Sequence, residues 1–228
     1  MSTYFSDASF KFLRSLARHN DKAWFNDHRQ QYEDHVRQPF LRLLGDLQPA
    51  LAEVSEHFRA DTRASAARCS ASIATRASPT TSHRTRPGRA RACSMSAARE
   101  VAAPSFYVHL QPGESFVGAG LWHPEPETQR RVRHFILDNP GSWKAAAHAP
   151  ALRKRFDFEE SEKLVRPPRG FPADFEFIDD LKHRNWVMWR SLDDATMTGP
   201  RLLSTLGKDL AALGPFVDYL CAALDLEF

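Results

Sequence analysis

Apolar side chains recur at helical spacing through the first third of the chain. Phe10, Leu13, Leu16 and Ala17 mark one helix, which Ser6 or Asp7 can cap. Asn20-Asp21 breaks that pattern and caps a second helix, with Trp24, Phe25, His28, Tyr32 and Val36 on overlapping turns. Pro39 predicts a kink or an end. Beyond it Phe40, Leu43, Leu44, Leu47, Leu51 and Val54 continue a long amphipathic face.

The period then changes to two. Between Ser105 and Trp122, two alternating runs flank Gln111-Pro112-Gly113-Glu114, which predicts an antiparallel hairpin. Phe106, Val108 and Leu110 share a face with Val117, Ala119 and Leu121, and this is the core side. The opposite face carries Tyr107 and His109 beside Phe116, Gly118, Gly120 and Trp122. Alternating glycines on one face admit a ligand or a second backbone, so that face is either a binding floor or a surface covered by other elements. Residues 127–138 read as a helix stopped by Asn139-Pro140-Gly141, and Lys163 to Pro172 as a loop rich in Pro and Arg. Asn185 to Leu192 reads as a short strand. Pro200 to Asp225 is helical, with an interruption expected at Gly214-Pro215. Helices at both ends around a small antiparallel sheet give an α+β fold, read here as one domain over residues 1–228.

One segment stands apart from this patterning. Residues 64–99 hold 10 Ala, 7 Ser, 7 Arg and 4 Thr, with no acid, aromatic, Lys, Leu or Val. So little apolar surface cannot offset the entropy of ordering the backbone, and the segment is expected to be disordered. It reads either as a basic arm or as sequence translated out of frame. High-GC coding DNA read out of register gives this mixture of Ala, Arg, Ser, Thr and Pro. Permitted codons for Ala66 to Ser82, shifted by one base, spell GGSLFRIHRDTRFSNDK, and the same shift through Ser96 continues PPYKTWAGARLFHE. The runs LFRIHRD and YKTWAGARLF would supply two further strands beside the hairpin. Without them the sheet is expected to be incomplete, with an exposed edge and poor solubility, because a lone hairpin is marginally stable.

The recovered string RIHRDTRFSNDKPPY resembles the signature of domain-of-unknown-function family 2461. That signature is Arg-x-x-Arg-Asp-x-Arg-Phe, followed by a Lys and a Tyr three further on. The in-frame flanks are similar to the same family. FLRSLARHNDKAWFNDHRQQYEDHVRQPF (Phe12 to Phe40) resembles its opening helices, FYVHLQPGESFVGAGLWHPEP (Phe106 to Pro126) its central hairpin, and RPPRGFPAD (Arg166 to Asp174) a later loop. The resemblance covers nearly the whole chain outside 64–99 and implies a bacterial protein, but no particular activity. With its signature replaced, this chain is expected to lack whatever activity its relatives have.

The net charge of +3 changes meaning once the segment is set aside. Residues 64–99 contribute +7 and the remainder −4. A near-neutral body disfavours nonspecific nucleic-acid binding unless 64–99 is a genuine arm. No signal peptide and no apolar run long enough to span a membrane is present, so no membrane partner is expected. Cys69 and Cys93 lie in the aberrant segment and leave Cys221 alone, a reduced, cytoplasmic pattern without metal spacing. There is no HExxH, GxSxG, P-loop or CxxC, and Gly118-Ala119-Gly120 is only a fragment of a dinucleotide fingerprint. No cofactor and no metal is expected.

Candidate binding residues are therefore few. Tyr107, His109 and Trp122 lie on the second face of the hairpin. Arg166 and Arg169 sit on a loop stiffened by Pro167 and Pro168, where guanidinium forks suit an anion. Three function classes stay open: a module binding a small phosphorylated or anionic ligand, an enzyme acting on such a ligand or on nucleic acid by acid–base chemistry, and a structural protein whose signature is a salt-bridge network. Sequencing the coding DNA across codons 60 to 102 is expected to show two compensating indels around an open frame encoding RDTRFSNDK. An undisturbed frame in a folded chain would instead make 64–99 a true basic arm.

Overall fold

A computed structural model describes residues 3–19, 21–59, 93–95 and 103–228. Helix α1 (Asp7–His19) buries Phe10, Phe12 and Leu16, while Ala17 of the expected stripe is exposed. Asp21 caps α2 (Lys22–Asp27) as its position predicts, its side chain accepting from Trp24 N–H at 2.7 Å. The chain then runs through α3 (Arg29–Tyr32) and a π-helical turn at Glu33–Arg37 directly into α4 (Gln38–Val54).

Of the two outcomes expected at Pro39, a kink or an end, the end does not occur. Gln38 N–H donates to the Glu33 carbonyl, five residues back, and this wider turn precedes a proline placed in the first turn of α4. Proline is tolerated in the first turn of a helix, and the π-turn loosens the backbone just before it. The α4 stripe of Phe40, Leu43, Leu44, Leu47 and Leu51 is buried as expected.

The sheet contains β1 (Cys93–Met95), β2 (Ser105–His109), β3 (Ser115–Leu121), β4 (Asp157–Phe158) and β5 (Trp186–Leu192). They lie in the order β1-β2-β3-β5-β4, with every pair antiparallel. The predicted turn closes the β2–β3 hairpin: Glu114 N–H donates to Gln111 O at 3.0 Å, and Gly113 takes the φ of +75° that its place in the turn requires. The hairpin has a neighbouring strand on each side. β5 pairs with β3 along its whole length, from Ser115↔Leu192 to Leu121↔Trp186. On the other side β1 pairs with Phe106 to Val108 and falls where the shifted frame reads LFH. The rest of 64–99, with its expected disorder, lies outside the described residues.

After the hairpin come α5 (Pro126–Asp138), α6 (Pro140–Ala147), α7 (Pro150–Arg153), α8 (Ile178–Leu181), α9 (Asp194–Thr198) and α10 (Leu202–Ala222). Together with the α4 stripe and the core face of the sheet, α10 buries Leu206, Leu210, Leu213, Phe216, Val217 and Leu220. Its helix runs unbroken through Gly214-Pro215, which overturns the predicted interruption. A Cβ on Gly214 would stand 2.9 Å from Val54 Cγ1, so glycine there lets α10 approach α4 closely. Burial of the flanking residues offsets the single backbone bond lost at Pro215. Among the described residues no helix is long and apolar enough to cross a membrane.

Two polar constraints fix the sheet against its helices. Asp209 of α10 is fully buried, accepts from Arg190 of β5 at 2.8 and 2.7 Å and forms an ion pair with Arg155 at 2.7 Å, so one carboxylate is shared by two guanidinium groups. The second constraint is steric. A Cβ on Gly118 would meet Met188 O at 2.6 Å, and on Gly120 it would meet Trp186 O at 1.9 Å. Gly120 also holds φ +134°, a conformation that side chains disfavour. The glycines on the second face therefore admit a neighbouring strand. Gly120→Ala combines the strained φ with a backbone clash and is expected to lower unfolding free energy by about 3 kcal/mol or more, read from the urea midpoint.

Candidate functional site

The second sheet face divides into two neighbourhoods. At the turn end, His109 is buried, stacked on Phe116 with centroids 4.8 Å apart, and within 3.0 Å of Gln111 Oε1 through Nε2. Phe116 in turn meets the edge of Trp189 at 5.9 Å. Phe116 and Trp122 are six residues apart on one extended run, about 20 Å at the rise of a strand, so His109 and Trp122 cannot share one small ligand. Tyr107 lies between them. Its register partner is Gly118, and its hydroxyl crosses to β3, donating to Gly120 O at 3.2 Å and accepting from Ser105 Oγ at 2.8 Å. Burial pushes its phenol up, against the Ser105 hydroxyl and the Trp122 backbone N–H that favour the charged form. Tyr107 is thereby engaged in holding the end of β3.

The other neighbourhood begins where β3 ends. Trp122 is 42% exposed and meets the His123 ring edge-on at 5.1 Å. His123 has φ +50°. A non-glycine residue seldom takes that value, and a residue preceding proline is ordinarily extended, so the conformation is imposed from outside. Asn185, buried just before β5, imposes it. Its Oδ1 accepts from His123 N–H at 2.8 Å, while its Nδ2 donates to Glu162 Oε2 at 3.2 Å. The same Glu162 oxygen lies 3.3 Å from His123 Nδ1. One buried amide thus sets both the backbone of His123 and the carboxylate that faces its ring.

Asn185 is itself held in place. Arg133 of α5 is buried over the Trp186 ring at 5.4 Å, and it donates to the carbonyls of Leu181 and His183 at 2.8 and 2.9 Å. These bonds pin the lead-in to β5. Burial, with Arg184 adding to it, pushes the Arg133 guanidinium below its ordinary range.

The loop bearing Arg166 and Arg169 passes this corner. Glu162 ties it to His123 and Asn185, Leu164 N–H donates to Lys182 O at 2.8 Å, and Phe171 packs 5.0 Å from His134 of α5. Between those ties Arg166 and Arg169 are exposed, and neither forms an ion pair among the described residues. The structure therefore links the loop to Trp122 through His123 and leaves His109 at the opposite end of the hairpin.

Sequence reasoning missed His123, Glu162 and Asn185. They are far apart in the chain and converge only because β5 pairs with β3. The one local signal was a histidine between the end of an alternating run and Pro124.

No curated protein and no solved structure matches the chain. The family described as conserved hypothetical protein (DUF2461) matches over residues 8–219, which takes in the N-terminal helices, the hairpin, the arginine loop and nearly all of α10. The flanks of 64–99 are thus carried by one family model, and the chain belongs to domain-of-unknown-function family 2461.

Proposed function

We propose that the corner formed by Trp122, Arg166 and Arg169 binds a small phosphorylated or otherwise anionic ligand. The supporting observation is the pair of exposed arginines without ion-pair partners among the described residues, on a loop stiffened by Pro167-Pro168 and tied down on both sides. Surface arginines usually lie beside carboxylates or move freely. Here the proline pair and the flanking ties lower the entropy of presenting two planar forks to an anion. Trp122 adds an exposed ring on which a planar part of the ligand can stack.

All of these residues lie outside 64–99. The near-neutral body fits a small ligand better than a nucleic-acid backbone.

Calorimetric titration at constant ionic strength tests the reading with two probes, inorganic phosphate and p-nitrophenyl phosphate. Arg166→Ala/Arg169→Ala is expected to weaken both by about tenfold or more, the scale of one lost charge-assisted hydrogen bond. Trp122→Ala is expected to weaken only the aromatic probe. Phosphate affinity unchanged in the double variant would contradict the proposal.

A further inference from the structure

We propose that His123 transfers a proton at this corner, and that the corner hydrolyses a phosphate monoester with water as the co-reactant; this rests on the anion-binding reading above. The inference comes from the way the imidazole is held. Its Nδ1 lies 3.3 Å from Glu162 Oε2, within ion-pair reach of a carboxylate that Asn185 holds, which leaves Nε2 as the nitrogen facing away from Glu162. The side chain is 56% exposed, so Nε2 is open to a ligand held by the adjacent loop.

A solvated surface histidine would not require this support. Asn185, only 2% exposed, bonds both the His123 backbone and Glu162. It fixes a left-handed residue ahead of a proline. A base oriented by a carboxylate, which is oriented in turn by a third polar group, is the arrangement general-base chemistry needs. On the hairpin, His109 is buried against Phe116 and Tyr107 is engaged by Ser105 and Gly120, whereas the His123 side chain is exposed.

In the step proposed, the arginines hold the phosphoryl oxygens. A water oxygen forms the new bond to phosphorus while His123 Nε2 takes a proton from that water. The ester P–O bond breaks, and its electron pair leaves with the departing alkoxide or phenolate. His123 then returns its proton to solvent. Glu162 and Asn185 are positioning residues: Glu162 keeps the proton on Nδ1 and steadies the imidazolium as it forms.

The full chain is assayed with p-nitrophenyl phosphate, alongside titration of inorganic phosphate. His123→Gln is expected to lower kcat about a hundredfold while phosphate affinity stays within about twofold. Glu162→Gln is expected to lower kcat about tenfold with KM unchanged, a split that a merely structural role would not give. Turnover retained in His123→Gln, or no turnover by the unaltered chain, would overturn the proposal. Titration reads the arginine loop and turnover reads His123, so failure of one is distinguishable from failure of the other.

Discussion

The Trp122–His123 corner depends on the close approach of β3 and β5 at Gly120. The backbone of Trp186 comes so near that any side chain at position 120 would collide with its carbonyl. Because the strands meet there, β3 ends beside the start of β5, and Trp122-His123 emerges against Asn185. A strand pairing shifted by one residue would send Trp186 and Met188 out of the core and would separate His123 from its amide. Asp209, buried between Arg190 and Arg155, holds that register from the helix side by tying β5 to α10. The core and the corner are thus fixed by the same pairing.

The physical character of the corner differs from that of the rest of the sheet face. Toward the turn, His109, Phe116 and Trp189 pack ring against ring, and the glycines between are filled by the neighbouring strand. Toward the corner lie an exposed indole and an imidazole 3.3 Å from the Glu162 carboxylate, which opens the loop that carries Arg166 and Arg169. At the corner itself a strained backbone at His123 is maintained by the buried amide of Asn185. Strain of this sort persists only where surrounding bonds over-determine it.

Much of the architecture was legible because its signals are local. The Asp21 cap, the Gln111–Glu114 turn, the division of hairpin faces and the strand at Trp186 all follow from spacing within a few residues. Gly214-Pro215, and the helix end allowed for at Pro39, misled for the opposite reason. A breaker is a local cost, and whether it breaks anything depends on what the neighbouring helix buries, here a π-turn before α4 and the contact with Val54. The candidate site was half legible. Trp122, Arg166 and Arg169 could be found by residue type, whereas Glu162 and Asn185 carry no signal until the sheet brings them to His123. The second-face glycines were ambiguous in sequence, and only the position of β5 assigns them to strand packing.

The central claim is that a corner built entirely outside 64–99 receives an anion. The most direct test is a crystal structure of the full chain grown with inorganic phosphate. The account predicts phosphate within hydrogen-bond distance of both Arg166 and Arg169, beside Trp122 and on the Nε2 side of His123. Phosphate bound elsewhere, with the two arginines turned into solvent, would contradict it.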